Sequence, residues 1–174
     1  MHSRRALFLG LATSLSMAHR GLAQPVAAPV RVAAASDLKF ALDEIATAYT
    51  TRTGQKIEIV YGSSGNFRRQ IAQGAPFDLF FSADESYVFA LADTGLTQDR
   101  GHRYAQGRLV LYAPHGAPFT PDDEWTDFRR ALTSGTIRRF AIANPDHAPY
   151  GRAAAETLRH TGLWPAIAPL LVLG

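Results

Sequence analysis

Tyr61-Gly62-Ser63-Ser64-Gly65-Asn66 is a small polar turn between an alternating strand pattern (Ile57, Ile59, Tyr61) and a short helical one (Phe67 to Ile71). A strand that stops in Gly-Ser-Ser-Gly and restarts as a helix leaves backbone N–H groups and hydroxyls without partners. A helix N-terminus also carries partial positive charge. Such a turn can hold an anion with no charged side chain. Two other stretches share the strand–turn–helix pattern, Ala35-Ser36-Asp37 and the segment from Asn144 to Gly151. In an open α/β sheet ligands lie beyond the carboxyl ends of the strands, where all three turns belong. Each also has a plainer reading: Ser36 as a helix N-cap, Ser63-Ser64 as an ordinary turn, Tyr150 as a core aromatic at a helix start. Their combination is what points to capture of a small oxyanion.

The elements that position these turns follow from periodicity. Val30 to Ala35 is a short apolar run, expected as a strand buried on both faces. Ser36-Asp37 suits a helix N-cap, and Leu38, Ala41, Leu42, Ile45, Ala48 and Tyr49 follow at helical spacing until Gly54. Lys56 to Tyr61 is a second strand. Gly74-Ala75-Pro76 breaks the chain before a third, Asp78 to Ser82, again expected to be buried. A helix from Ala83-Asp84-Glu85 to about Thr94 stops at Gly95. Alternating strands and helices predict a parallel α/β sheet with right-handed crossovers. Arg108 to Ala113 reads as a strand leading into a second lobe. There Trp125 to Leu132 is a helix, Arg138 to Ala143 a strand and Tyr150 to Thr161 a helix. Leu163 to Leu173 is mostly apolar, and because domain ends normally lie in solvent the chain reads as cut short.

The first residues read as an export signal. Arg4 and Arg5 precede an apolar run from Ala6 that is too short to span a membrane, and Gly21-Leu22-Ala23 suits cleavage, making residues 1–23 a signal peptide. Ser3-Arg4-Arg5-Ala6-Leu7 resembles a twin-arginine signal with Leu7 where that pattern prefers Phe, so export runs by the general secretory or the twin-arginine route. The signal holds three of the 18 basic residues and none of the 15 acidic ones, so the remainder is formally neutral. Neutrality gives no reason to invoke nucleic acid or an anionic membrane. With no cysteine there is no disulfide framework and no thiolate metal site.

Other chemistry-bearing residues are weaker candidates. Arg68 and Arg69 read as solvated helix charges, and Asp84 and Glu85 as first-turn acids. His102, His115, His147 and His160 are not paired; His147 could border the site from its loop but is not taken as a ligand. There is no His-Glu-x-x-His, no Gly-x-Ser-x-Gly elbow and no Walker loop, so no catalytic residue, cofactor or free metal cation is assigned.

Five segments taken in order, Ala33-Ala34-Ala35-Ser36, Tyr61-Gly62-Ser63-Ser64-Gly65, Gly74-Ala75-Pro76-Phe77-Asp78, Phe81-Ser82-Ala83-Asp84-Glu85 and Ala143 to Gly151, resemble the periplasmic molybdate-binding components of ABC transporters. That resemblance implies a type II periplasmic binding protein fold: two lobes, each a mostly parallel sheet flanked by helices, closing on a tetrahedral oxyanion. It implies a first lobe at residues 24–110 and an incomplete second lobe at 111–174. It also implies hydroxyl and backbone N–H contacts from Ser36 and Ser64, and a backbone N–H contact from Tyr150. The family's remaining contacts, a later backbone N–H and a tyrosine hydroxyl, would lie beyond Gly174, and weakened binding is expected without them.

The expected function is thus a periplasmic, monomeric solute-binding protein, not an enzyme. It would take molybdate, and tungstate, to a membrane permease of an ABC importer. A fully ionised oxyanion needs donors only; at roughly 1.5–3 kcal/mol per charge-assisted bond, about five to seven donors reach micromolar affinity after ordering costs. A protonated phosphate would set its own hydrogen against a donor and be rejected. The rival reading is a secreted serine-dependent phosphate or sulfate ester hydrolase with Ser36 or Ser64 as nucleophile, which needs a base that the sequence does not place.

Overall fold

A computed structural model describes residues 28–174; the expected signal peptide lies outside the described residues. Strand β1 (Val30–Ala35) pairs in parallel with β2 (Ile57–Gly62) on one side and with β3 (Leu79–Phe81) on the other. The central place of β1 explains its continuous apolar run, since Val32 to Ala35 are all buried. The expected third strand is shorter than Asp78 to Ser82, and it is not buried: as a sheet edge, β3 leaves Leu79 half exposed. Helices α1 (Lys39–Thr53), α2 (Ser64–Ala72) and α3 (Glu85–Ala92) connect and follow these strands. Gly54 ends α1 at φ 73°, the left-handed conformation glycine adopts without a Cβ penalty. Phe67 of α2 meets Phe77 and Phe80 edge-on, at 5.6 and 6.5 Å between ring centroids, which seats that helix on the sheet.

The apolar spacing of α1 does not lead to burial. None of its residues is buried, Ile45 is 58% exposed and Phe40 86%. Periodicity determines which residues share a face, but burial needs a layer to cover that face, and the described residues provide only part of one.

Helix α4 (Thr126–Thr133), strand β4 (Phe140–Ile142), helices α5 (Pro149–His160) and α6 (Trp164–Ile167) and strand β5 (Leu171–Leu173) form a second group, with β4 and β5 paired in parallel. Its core is Phe128, Ala131, Ile137, Leu158, Leu163 and Ile167, all buried. Phe128 packs edge-on against Phe119 and Trp125, at 5.0 and 5.7 Å. The strand expected at Arg138 to Ala143 keeps only its middle. The strand expected at Arg108 to Ala113 is absent: the segment is irregular, with Val110 86% and Tyr112 79% exposed. A strand requires a neighbour for its N–H and C=O groups, and among the described residues this segment has none. Among the described residues no helix is long and apolar enough to cross a membrane.

Candidate functional site

The register of the first sheet brings two of the three turns together. Ala35 lies opposite Gly62 and Ala34 opposite Phe81, so Ser36, Ser63 and Ser82 all leave the sheet at one edge. After β1 the chain makes a 3-10 turn, Ser36–Leu38, before α1 begins. Ser36 is therefore not the N-cap its sequence suggests; Ala35 holds that position for the turn and Leu38 for α1, neither with a side-chain cap. Ser36 is exposed, and its hydroxyl makes no hydrogen bond among the described residues.

After β2 there is no such spacer. Ser63 occupies the N-cap position of α2 and Ser64 is its first residue, wholly buried. The Ser64 hydroxyl oxygen accepts the Ala83 N–H at 3.0 Å, which leaves its own proton free to donate. Ser63 caps nothing in its helix; its hydroxyl donates to the backbone carbonyl of His147. The His147 Nδ1 lies 3.0 Å from the same hydroxyl. Gly65 N–H donates to the His147 carbonyl as well, at 3.0 Å. A Cβ on Gly65 would stand 2.6 Å from that oxygen, so glycine is required here by close approach rather than by backbone angle.

The third turn, Asn144 to Ala148, opens into α5, and Asn144 organises it. Its side-chain oxygen accepts the Asp146 N–H at 2.9 Å, and its backbone carbonyl accepts the Ala148 N–H at 2.9 Å. Tyr150 is in the first turn of α5, where backbone N–H groups have no intrahelical acceptor. Its phenol donates to the Asp37 carboxylate at 3.0 Å. Burial, and then the bond to Asp37, raise the Tyr150 pKa above the ordinary phenol value. Tyr104 donates to the Ser82 carbonyl at 2.8 Å, and burial followed by the charge of Asp37 pushes its phenol up to about 12. Arg152, one turn into α5, pairs with Asp84 at 2.6 Å and lies over the Tyr87 ring, 4.9 Å from its centroid. The two acids at this edge are thus each held by a donor from α5, Asp37 by Tyr150 and Asp84 by Arg152.

The three sequence-predicted turns meet. Tyr150 reaches the first through Asp37, and His147 reaches the second through Ser63 and Gly65. The turns that carry Ser36, Ser64 and Tyr150 are thus joined through Asp37, Ser63 and His147, and among the described residues no imidazole is bonded to Ser36 or Ser64. Asp37, Ser63 and Arg152 join the turns and were not expected to; His147, expected only to border the site from its loop, joins them as well. The sequence signal for the crossing at the second turn was Gly65, whose place a Cβ could not share with the His147 carbonyl.

Residues 30–174 match the family of bacterial extracellular solute-binding proteins. The chain belongs to that family. It is 36% identical over 165 residues to the molybdate-binding protein ModA of Rhodobacter capsulatus, covering 94% of this chain and 62% of that one. To the molybdate-binding protein ModA of Azotobacter vinelandii it is 37% identical over 150 residues, covering 85% and 57%. Among solved structures, the periplasmic molybdate-binding protein of Azotobacter vinelandii aligns with a TM-score of 0.59 at 28% identity, over 83% of this chain and 62% of its own. The α/β type II periplasmic binding protein fold expected from the sequence is the fold of this family member. The chain spans about three fifths of the length of these relatives.

Proposed function

We propose that this family member is an exported solute-binding protein that captures molybdate, and tungstate, for the permease of an ABC importer. Ser36 and Ser64 donate hydroxyl and backbone N–H groups from a first lobe at residues 24–110, and Tyr150 donates its backbone N–H from a second lobe at 111–174. The ligand is transported unchanged, by a monomer working in the periplasm after removal of residues 1–23. The observation that carries this reading is the meeting of three turns rich in hydroxyl and N–H donors, in a chain similar to molybdate-binding proteins. Fixed N–H and O–H donors favour an ion with no proton of its own, and cavity size then separates the tetrahedral ions.

The ester-hydrolase reading is weaker. Among the described residues the serine beside an imidazole is Ser63, and no imidazole is bonded to Ser36 or Ser64, the nucleophiles that reading needs. Titration calorimetry with molybdate, tungstate, sulfate and phosphate tests the proposal. Molybdate and tungstate should bind, more weakly than a full set of donors would hold them, and phosphate should not displace them. A chain that binds phosphate as well as molybdate, or a Ser36→Ala variant with unchanged molybdate affinity, would overturn it.

A further inference from the structure

Residues 147–152 cross the edge of the first sheet, and their contacts follow the order of its strands, β2-β1-β3. The His147 carbonyl accepts from Ser63 and Gly65 beyond β2, the Tyr150 phenol donates to Asp37 beyond β1, and the Arg152 guanidinium pairs with Asp84 beyond β3. Tyr150 and Arg152 are two positions apart on α5, about 200° around its axis, so they leave the helix on opposite flanks. Gly151, between them, backs onto the second group, where a Cβ would stand 2.2 Å from the Ala143 carbonyl oxygen. The first turn of α5 is therefore held on both flanks and from behind. The Arg152 flank differs from an ordinary surface ion pair. Arg152 and Asp84 side chains are 38% and 31% exposed, whereas the neighbouring pair of Arg103 and Glu85 is exposed at 75% and 51%. The Arg152 Nε is buried with no acceptor among the described residues. A buried donor left unsatisfied costs stability, so stability alone does not account for a guanidinium at this place. Asp84 divides its two oxygens: Oδ1 caps α3 by accepting the Ser86 N–H at 2.7 Å, and Oδ2 takes Arg152.

We propose that Arg152 and Asp84 are positioning residues for oxyanion capture: their ion pair fixes the first turn of α5, and with it the Tyr150 N–H, against the turns of Ser36 and Ser64. The inference rests on the oxyanion reading above. Donors fixed before the ion arrives need no ordering when it binds, and the saving appears as affinity. In this role Arg152 acts through Asp84 and α5 rather than by touching the ion. A cation that merely attracted anions would behave in the opposite way in one variant. Asp84→Asn removes a negative charge and releases the guanidinium, so an attractor would bind oxyanions more tightly, whereas a broken positioning pair binds them more weakly. The asparagine keeps an oxygen for the Ser86 N–H, so α3 retains its cap.

Calorimetry with molybdate at low and high sodium chloride, about 20 and 500 mM, tests the inference on the whole chain. At low salt Arg152→Gln and Asp84→Asn should each weaken molybdate binding about five- to tenfold, and the double variant should lose no more than either alone. Arg152→Lys, which keeps the charge, should recover part of the loss. Both losses should shrink to about twofold at high salt, where a defect of packing alone would not respond. Arg103→Gln, which breaks the exposed neighbouring pair, should leave the affinity unchanged. With no oxyanion added, amide hydrogen exchange at residues 152–155 should quicken in both single variants. Tighter binding in Asp84→Asn, unchanged binding in Arg152→Gln, unchanged exchange, or additive losses in the double variant would overturn the positioning role alone. A parent chain that binds no oxyanion would overturn the function and this role together.

Discussion

Ser36 and Ser64 leave neighbouring parallel strands at the same edge, yet the two turns use them differently. Ser36 follows β1 into a 3-10 turn that holds it outside the packing, exposed, with its hydroxyl uncommitted. Ser64 follows β2 directly into α2, which draws it inside, where its oxygen satisfies the Ala83 N–H. The layouts differ by a three-residue spacer and by one position, since Ala35 is in register with Gly62 and Ser64 comes second after β2. One serine is thereby free for ligand alone, while the other serves the fold and has only a proton to offer. The same residue type, beyond neighbouring strand ends, should show its loss in different experiments.

The strongest way to break this contrast is Gly65→Ala. The added methyl meets a backbone carbonyl that cannot rotate away, so the His147 loop must separate from the second turn at a cost of about 3 kcal/mol. Chemical denaturation should show a lower midpoint, and oxyanion affinity should fall with it. Next in size, Ser64→Ala leaves the partly buried Ala83 N–H without its acceptor inside the fold and should cost about 1–2 kcal/mol of stability. A Ser64→Ala chain as stable as the parent would mean that the buried contact contributes nothing.

Tyr150→Phe removes the tie between α5 and the first turn, about 1 kcal/mol at this partly exposed place, and should loosen the Ser36 side without unfolding the second turn. The phenols also make stability depend on alkaline pH. Folding raises the pKa of Tyr150, and it raises that of Tyr104 to about 12, whereas an unfolded phenol titrates near 10. Their contribution is complete below pH of about 10 and declines as pH rises toward 12, because the unfolded chain loses its protons first. Denaturation curves across that window should flatten in Tyr104→Phe. Smallest in stability is Ser36→Ala, within about 0.5 kcal/mol of the parent. Molybdate affinity in that variant should nevertheless drop about tenfold by calorimetry, the clearest separation of the two serines.

Much of the fold could be read from local pattern. The bounds of β1 follow from a short, mostly apolar run whose buried half, Val32 to Ala35, suits a central parallel strand, and Gly54 marks the end of α1 through its left-handed angle. Errors arose where a neighbour decides the outcome. Leu79 looked like core and lies on an edge strand, Ile45 keeps helical phase yet faces outward, and Arg108 to Ala113 has strand composition with no strand beside it. At the site, the three donor-rich turns could be identified, but not the bond from Ser63 to a carbonyl 84 residues away.

By itself the sequence determined which residues could donate to an anion and the order of strands and helices. These are local properties, expressed in periodicity, glycine placement and helix-start chemistry. Tertiary structure alone decided which donors remain free. The shared register of β1 and β2 fixes where the turns leave the sheet, and His147, Tyr150 and Arg152 cross to hold Gly65, Asp37 and Asp84. A hydrogen-bonding group's availability depends on what lies within about 3 Å of it, and for these residues that neighbour is distant in the chain.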